Sequence, residues 1–447
     1  MTVRCGRPQS VESTSTISQQ PAPGILRESD AGVKTVIRNN NPEIKLSRIS
    51  SSDTTDPGVS GEAWDRIEAA FRERLEAVEL FLADLSGRFR FQSEIDCHSS
   101  IAAVIEAERQ HLHGYLPSFQ RRVWLGSADL VCDTSGQFWF VDDHYCCPFG
   151  LYRYCQLLSQ TPAASSANYA FANFQRSVRE DLQRKLSDGQ QAVVLGSGTF
   201  NTVYREHRFF AEFLGIPFAT QQRLQMEDGR LGYLNGQSAQ PIALVIRRLQ
   251  DEDLDSSCYR TDSMQGVLGI VRAAQRGMVR VLNAPGTGLF NRRMITSLIP
   301  AMIRYYLGSE PLLPTVPTVP ASPMGIIQSD QSPDDYVFRT DNSMDVMKPL
   351  FGSRCTEEER SRYMSRVFAS PESFVVRSTL AAATGNAVRA KFGLRIFAGG
   401  TSRRAVLRGG IRRDCAADGT PTAPVTQDQS ATCEHVAESV GRAVHRN

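Results

Sequence analysis

The sequence has no long apolar run. Nowhere do about 18 apolar residues follow one another, which excludes an ordinary membrane-spanning helix. The first residues also lack the apolar core of a secretory signal peptide. The 447 residues include 50 Lys and Arg against 48 Asp and Glu, and the net charge of +2 gives no broad basic surface for nucleic acid. We therefore expect a cytoplasmic protein that binds neither membranes nor nucleic acids.

Several marks of known enzyme classes are missing as well. The tripeptides His-Arg-Asp and Asp-Phe-Gly, which a protein kinase needs, do not occur, and no G-x-S-x-G elbow marks a Ser–His–Asp hydrolase. The 10 cysteines are scattered, and none has the C-x₂-C spacing of a zinc site. In a chain of this length, such cysteines indicate reduced thiols.

Aromatic residues are absent from positions 1–58, a stretch rich in Ser, Thr, Pro, Asn and Gln. A segment of this composition cannot bury enough apolar surface to offset the entropy lost on ordering. We predict a disordered tail over residues 1–58 and a second, mostly disordered tail over residues 411–447.

Between the tails, apolar periodicity predicts the regular elements. Apolar residues recur at three- or four-residue steps after Ser60, which indicates an amphipathic helix capped by Ser60. From residue 192 onward, short apolar runs alternate with helical patterns, so we predict a parallel sheet covered by helices. The other predicted helices are 170–186, 206–214, 266–276, 294–307 and a last one from the Thr356–Glu359 capping box to about residue 367. The predicted strands are 138–141, 192–195, 242–247, 279–282, 346–348, 374–376 and 392–397, with a Pro-rich linker at 311–323.

Three segments have residue types suited to binding an anion. Residues 195–204 contain Gly-Ser-Gly after a strand and superficially resemble a kinase glycine-rich loop, but the missing kinase tripeptides disfavour a kinase, and a strand-to-helix turn of an α/β domain is the plainer interpretation. Residues 283–288, Asn-Ala-Pro-Gly-Thr-Gly, offer backbone N–H groups to an anion or make a tight connection. Lys348, on a short apolar run, would reach phosphates or remain a solvated lysine.

Two groups of charged residues also stand out. Asp142 and His144 follow the apolar run 138–141, where they would hold Mg²⁺ or simply form a polar turn. Arg247 lies four positions before Asp251, so its guanidinium would bind a ligand carboxylate or phosphate, or join an internal ion network.

Taken together and in this order, these segments resemble the circularly permuted ATP-grasp type 2 family over roughly residues 60–410. Residues 129–150, 195–215, 247–266 and 283–308 carry the resemblance, together with Lys348. It implies an α/β to α+β fold, in which a doubly wound pre-grasp domain separates the two parts of a permuted ATP-grasp module. The implied ranges are 60–190 for the first part, 191–310 for the Rossmann-like pre-ATP-grasp domain, and 315–410 for the second part with the nucleotide lysine.

The resemblance also implies an activity. The family forms amide or peptide bonds: ATP phosphorylates a small-molecule or peptide carboxylate, and an amine attacks the acyl phosphate, with Mg²⁺ or Mn²⁺ assisting. Self-association as a homo-oligomer is left open. The implied roles are catalysis by Arg395 and Arg403, cofactor binding by Lys348, Asn283, Gly286 and Gly288, metal binding by Asp142 and His144, and substrate-side contacts by Arg247, Asp262 and Asn201.

Some positions depart from the family pattern. His144 stands where the family has a metal-binding Asn, and imidazole favours softer ions than Mg²⁺. Residues 290–293, Phe-Asn-Arg-Arg, replace Ala-Asp-Asp-Lys, and Gly393 replaces the Asp before Arg395. The sequence therefore leaves two hypotheses: a divergent ligase, and a catalytically inactive paralogue that serves as a binding or scaffold protein.

Overall fold

The computed structural model describes residues 53–55, 58–94, 99–111, 121–162, 165–235, 238–321, 335–345, 347–351, 355–384, 389–400 and 405–415. In this part of the chain the helices are α1 (Gly61–Leu85), α2 (Ser99–His111), α3 (Leu151–Leu158), α4 (Ser166–Gln183), α5 (Tyr204–Leu214), α6 (Asp251–Leu254), α7 (Ile270–Gln275), α8 (Arg293–Thr296), α9 (Ile299–Met302), α10 (Glu357–Ala369) and α11 (Leu380–Thr384). None of them is long and apolar enough to cross a lipid bilayer.

The described strands form three sheets. The strands are β1 (Asp53–Thr54), β2 (Leu125–Asp133), β3 (Phe138–His144), β4 (Gln191–Leu195), β5 (Phe218–Ala219), β6 (Leu224–Glu227), β7 (Arg230–Asn235), β8 (Ser238–Arg247), β9 (Arg280–Leu282), β10 (Thr318–Pro320), β11 (Tyr336–Thr340), β12 (Leu350–Phe351), β13 (Phe374–Ser378), β14 (Ala390–Gly399), β15 (Ala405–Val406) and β16 (Ile411–Asp414).

Sheet I joins strands from distant parts of the sequence. Its order is β1-β16-β14-β2-β3, with β15 paired to β14, and all pairs are antiparallel. Helix α1 packs on one face of this sheet because its apolar stripe is buried there; Ile67 and Phe71 join Leu130 and Phe140 in one core cluster. Burying one such side chain stabilises the fold by about 1.5–3 kcal/mol.

Sheet II is mostly parallel, and sheet III is antiparallel. In sheet II the order is β5-β4-β8-β7-β6, with β9 paired to β8; β4, β5, β8 and β9 are parallel, while β6 and β7 form a hairpin added to β8. Helices α4 and α5 cover one face of it, and α7 covers the other. In sheet III the order is β10-β13-β11-β12, and α10 packs against it. The prediction of mixed helix and sheet structure is confirmed.

Much of the local prediction is also confirmed. The Ser60 hydroxyl accepts a hydrogen bond from the backbone N–H of Ala63 at 3.3 Å and caps α1. Thr356 and Glu359 form the predicted capping box at the start of α10. Strands β4, β8, β9, β13 and β14 and helix α5 lie where the apolar runs placed them, within a few residues.

The predicted helix over 294–307 is confirmed in part: most of the range is helical, but Ser297 and Leu298 interrupt it, and it divides into α8, α9 and a π-helical turn at Ile303–Leu307. Pro300 has no N–H to donate, and the Ser297 hydroxyl donates to the carbonyl of Met294 at 2.7 Å. The predicted helix over 266–276 shortens to α7, since Gly266 and Gly269 have positive φ angles of 78° and 85° and form turns.

Three boundaries need correction as well. The predicted strand over 346–348 is wrong at Met347 and Lys348, which precede β12; Pro349 cannot donate to a strand ladder. The predicted linker over 311–323 contains β10, an edge strand that tolerates proline. Both predicted tails enter sheet I, through β1 and β16, and their other residues lie almost wholly outside the described ones.

Candidate functional site

Strand register brings three of the predicted polar residues, together with Asp129, onto one face of sheet I. Asp129 on β2 lies opposite Asp142 on β3 and opposite Arg395 on β14. His144 lies two residues beyond Asp142, so alternation places both side chains on the same face. Asp143, between them, faces the α1 side, where it pairs with the buried Arg74 at 2.5 Å.

Arg395 and His144 both bind the same carboxylate. Arg395 donates from Nε and Nη2 to the two oxygens of Asp129, each at 2.6 Å, in a bidentate pair. His144 Nε2 lies 3.1 Å from Asp129 Oδ2 and 3.3 Å from Arg395 Nη2. Burial alone would raise the pKa of Asp129, but Arg395 and His144 more than offset it and hold that pKa below its usual range.

Asp142 is surrounded by three arginines. Arg377 Nη2 donates to Asp142 Oδ1 at 2.6 Å, Arg293 Nε to the same oxygen at 3.3 Å, and Arg339 Nη1 to Oδ2 at 3.1 Å. Burial would raise the pKa of Asp142, but the arginines dominate and hold it well below the usual range. The carboxylate is therefore ionised, with both oxygens bound by guanidinium groups.

Positive charge exceeds negative charge in this cluster. We call Arg293, Arg339, Arg377 and Arg395 the arginine cluster; its two carboxylate partners are Asp129 and Asp142. Burial, and then the neighbouring charge of Arg293, lower the pKa of Arg339 to about 9. Arg339 shares the carboxylate of Asp142 with two other arginines, so less than one negative charge offsets its own positive charge there.

The geometry of the cluster does not fit a divalent cation. A Mg²⁺ or Mn²⁺ ion at Asp142 would compete with three guanidinium groups for its oxygens and would be repelled by them. The imidazole nitrogen of His144 that faces the cluster already lies against Asp129 and Arg395. Across the residues that the structure describes, no group of three His, Cys, Asp or Glu side chains is arranged to hold a metal ion. The predicted metal role of Asp142 and His144 therefore finds no support in this arrangement.

The loop at residues 283–288 does bind an anion, but the anion belongs to the protein. The backbone N–H groups of Gly286 and Gly288 donate to Asp251 Oδ2 at 3.1 and 2.6 Å, and Arg247 Nη1 lies 2.7 Å from Asp251 Oδ1. A Cβ atom at position 288 would lie 2.3 Å from Asp251 Oδ2, so the close approach requires glycine. In this arrangement the two amides are not open to a nucleotide phosphate.

Arg247 and Asn283 are likewise occupied internally. Besides Asp251, Arg247 donates to the carbonyls of Asn283 and Ala284, at 2.7 and 3.0 Å, and its side chain is fully buried. The Asn283 amide bonds to backbone groups of two separate segments through both its oxygen and its nitrogen. This geometry favours the internal ion network that the sequence left open for Arg247, and it leaves Asn283 no free group for a cofactor.

The remaining predicted residues do not join the cluster. Asn201 Oδ1 accepts from the backbone N–H of Val203 at 3.0 Å, in the turn before α5. Asp262 is 82% exposed and pairs with Arg260 on the surface. Lys348 is exposed in the segment before β12, and Arg403 lies outside the described residues.

Two members of the arginine cluster had no motif to mark them. Arg339 and Arg377 each end an apolar run, in Val-Phe-Arg on β11 and Val-Val-Arg on β13. A charged residue inside a buried strand is the signal that would have found them, because such a charge needs a partner. Arg293 was visible in the sequence as the residue that stands where the family has the Lys of Ala-Asp-Asp-Lys.

Comparison with known proteins identifies the class. The sequence matches the circularly permuted ATP-grasp type 2 family over residues 59–414. Because this match covers most of the chain, the protein belongs to that family.

The relatives are distant in sequence. An uncharacterised protein of Synechocystis sp. is 24% identical over 382 residues, or 81% of this chain and 79% of the relative. One from Mycobacterium leprae is 25% identical over 392 residues, or 81% and 68% of the two chains. An apo-form glutathione synthetase-like effector of Globodera pallida matches in structure with a TM-score of 0.48 and 13% identity, covering 83% of this chain and 90% of that one.

Proposed function

We propose that this chain is a ligase-like ATP-grasp protein that binds a nucleotide through the arginine cluster, without a resident divalent cation, and acts as a binding protein. The observation that carries the proposal is the environment of Asp142. At the position where the family has a metal-binding carboxylate, three arginines bind both oxygens.

The charge balance favours a phosphate-bearing ligand. Among the described residues, the four guanidinium groups form ion pairs with two carboxylates, and the fork of a guanidinium matches the geometry of phosphate oxygens. Arg339 has the most exposed side chain of the four, with 18% of its surface accessible. Burial of the rest lowers the pKa of Arg339 to about 9. A bound phosphate would supply the missing negative charge at that position.

Amide-bond formation by ATP-dependent activation of a carboxylate is the second candidate. Family membership favours it, as does a segment of 129 residues that is 30% identical to a Frankia alni protein with the provisional name glutamate–cysteine ligase 2-3. That segment covers 29% of this chain and 15% of the relative. The acyl-phosphate route, Mg²⁺ or Mn²⁺ as cofactor, and roles for Lys348 and Arg403 belong to this candidate.

A thermal-shift titration with ATP separates the two candidates. The full chain is titrated with ATP in EDTA, and again with Mg²⁺ or Mn²⁺. A ligand that binds only the folded state at 100 times its Kd stabilises it by about 2.7 kcal/mol. We expect the rise in Tm to persist in EDTA and to shrink in Arg339→Gln. Arg362→Gln is the matched control, since Arg362 is 69% exposed on α10 and pairs with Glu358 on the surface.

Three outcomes contradict the proposal. A rise in Tm that needs Mg²⁺ or Mn²⁺ and disappears in Lys348→Ala would favour the ligase candidate. No rise with ATP under any condition would rule out nucleotide binding by the folded chain. An equal loss in Arg362→Gln and Arg339→Gln would mean that the arginine cluster is not the binding site.

A further inference from the structure

A second cluster of positive charge lines a cavity at the border of sheet II. The cavity has a volume of about 510 Å³ and is open on one side, and its walls include the segment before β2, the segment between α4 and β4, and the chain from the end of α7 through β9. It shares no residue with the arginine cluster. Its volume falls within the range of roughly 300–1,000 Å³ that small-molecule sites occupy.

Five of the residues that line the cavity are basic, and none of the described residues in its wall is acidic. The basic residues are Arg121, Arg122, Arg184, Lys185 and Arg280. Carboxylates lie behind the wall and balance part of this charge. Arg184 and Lys185 share the carboxylate of Asp181, at 3.8 and 3.5 Å.

Asp181 and Glu79 are also engaged with other groups. The indole N–H of Trp124 donates to Asp181 Oδ2 at 2.9 Å. Glu79 lies 4.0 Å from Arg122 Nη1, but its oxygens accept from the backbone N–H groups of Arg122 and Val123 at 2.9 and 2.7 Å. Arg121 also pairs with Glu76, and Arg184 lies 3.9 Å from Glu180. The described carboxylates therefore balance most of the charge of four of the five basic residues, and the positive charge left at the wall is that of Arg280.

Arg280 is the strongest evidence for a ligand. It is half-buried, and no carboxylate of the described residues lies within ion-pair distance of its guanidinium. Its Nη2 donates to the backbone carbonyl of Lys185, which holds the side chain at the cavity wall. Burial lowers the pKa of Arg280 because no counter-charge offsets the loss of water.

We propose that this cavity is a second binding site, for a small anion that carries two or more phosphate or carboxylate groups. Arg280 is a partly buried guanidinium without a carboxylate partner among the described residues, and a ligand anion at the wall would supply the opposite charge. The surrounding cations favour a ligand with more than one negative charge. The volume of the cavity fits a small molecule.

Calorimetric titration of the full chain with pyrophosphate, and separately with citrate, tests the site. The titrations use low ionic strength and the Arg339→Gln background, which weakens binding at the arginine cluster. We expect at least one of the two anions to bind, and Arg280→Gln to weaken that binding tenfold or more. Arg276→Gln is the matched control, because Arg276 is exposed four positions away and does not line the cavity.

The two probes separate phosphate from carboxylate ligands, and binding of either one supports the site. The inference is overturned if neither anion binds, or if Arg280→Gln binds as tightly as its background. If Arg280→Gln does not fold, as judged by circular dichroism, Arg184→Gln carries the same test, since Arg184 is 53% exposed. Binding that is present in the wild type and absent in the Arg339→Gln background would assign the anion to the arginine cluster and would also overturn the inference.

Discussion

At the residue scale, the arginine cluster is a buried ion network with too few carboxylates. Desolvation of buried charges costs several kcal/mol per ion, and partners repay this cost only when every charge is balanced. Asp142 is the single carboxylate bound to three of the four arginines. Asp142 therefore connects these arginines, and a ligand anion would add its negative charge next to that of Asp142.

Asp142→Asn should destabilise the ligand-free protein by about 3–5 kcal/mol, because three buried arginines lose their counter-charge. Added phosphate should recover part of the loss by replacing that charge. Urea denaturation with and without phosphate measures both effects. Glu358→Gln serves as control: its surface pair with Arg362 should contribute less than about 1 kcal/mol. A variant as stable as the wild type would mean that the network does not need Asp142.

Glu108 should make stability depend on pH. Burial, and then the charge of Asp251, raise the pKa of Glu108 to about 8. The folded protein therefore keeps a proton that the unfolded chain loses near its ordinary pKa of about 4.3, so stability falls as the pH rises between these values. In Glu108→Gln this fall should be smaller, and the variant should be more stable than the wild type at pH 8.

Urea denaturation of the wild type and of Glu108→Gln at a series of pH values measures this pH dependence of stability. Glu106→Gln is the matched control, because Glu106 lies on the same helix, is 54% exposed and pairs with Arg109. Wild type and Glu108→Gln with parallel pH profiles would contradict the raised pKa.

The sequence could indicate part of the site, but not its chemistry. Asp142, His144 and Arg395 were predicted to act together, and strand register does bring them to one face. Their charge partners were not predictable, because Arg377 lies 235 positions from Asp142. Local periodicity reports which face of a strand is buried; it carries no information about which distant charge will face it.

At the scale of elements, periodicity and caps predicted best where local signals agree with packing. Helix α1 has both a cap at Ser60 and a continuous apolar stripe, so local and tertiary preferences coincide. Where local signals conflict, the prediction was less accurate. The apolar pattern of residues 294–307 predicted one continuous helix, but Pro300 and the Ser297 hydroxyl interrupt its backbone hydrogen bonds. Strand β10 was missed because a Pro-rich stretch becomes a strand only by pairing with β13.

The capping box of α10 is a test at this scale. Thr356 Oγ1 accepts from the backbone N–H of Glu359 at 3.2 Å, and Glu359 Oε2 accepts from that of Thr356 at 2.9 Å. Thr356→Ala should cost about 1 kcal/mol of stability, measured by urea denaturation, with no effect on ATP binding. Ser365→Ala on the exposed face of α10 is the control and should cost less. Equal losses would mean that the cap contributes nothing specific.

At the scale of the whole molecule, segments far apart in sequence must be held together. Sheet I takes β2 and β3 from one region and β14 and β16 from another, more than 200 positions later. Between them in sequence lies sheet II, whose last strand, β9, ends just before Asn283. Asn283 is therefore placed where sheet II meets the start of β2 and the segment after β3.

Asn283 joins these parts with one side chain. Its Oδ1 accepts from the backbone N–H groups of Trp124 and Leu125 at 2.7 and 2.9 Å. Its Nδ2 donates to the carbonyls of Leu125 and Tyr145, each at 2.6 Å, and to that of Cys146 at 3.2 Å. All of these groups are buried, so no water is available to replace the amide.

Asn283→Ala should therefore destabilise the protein by at least about 3 kcal/mol, since each buried backbone group left without a partner costs about 1–3 kcal/mol. Asn173→Ala, on the exposed face of α4, is the matched control and should change stability by less than about 0.5 kcal/mol. Urea denaturation followed by both circular dichroism and tryptophan fluorescence measures the loss. Trp124, one of the three tryptophans that contribute to this signal, is buried beside the amide. If Asn283→Ala unfolds at the wild-type urea concentration, the connection between sheets I and II must be held by apolar packing instead.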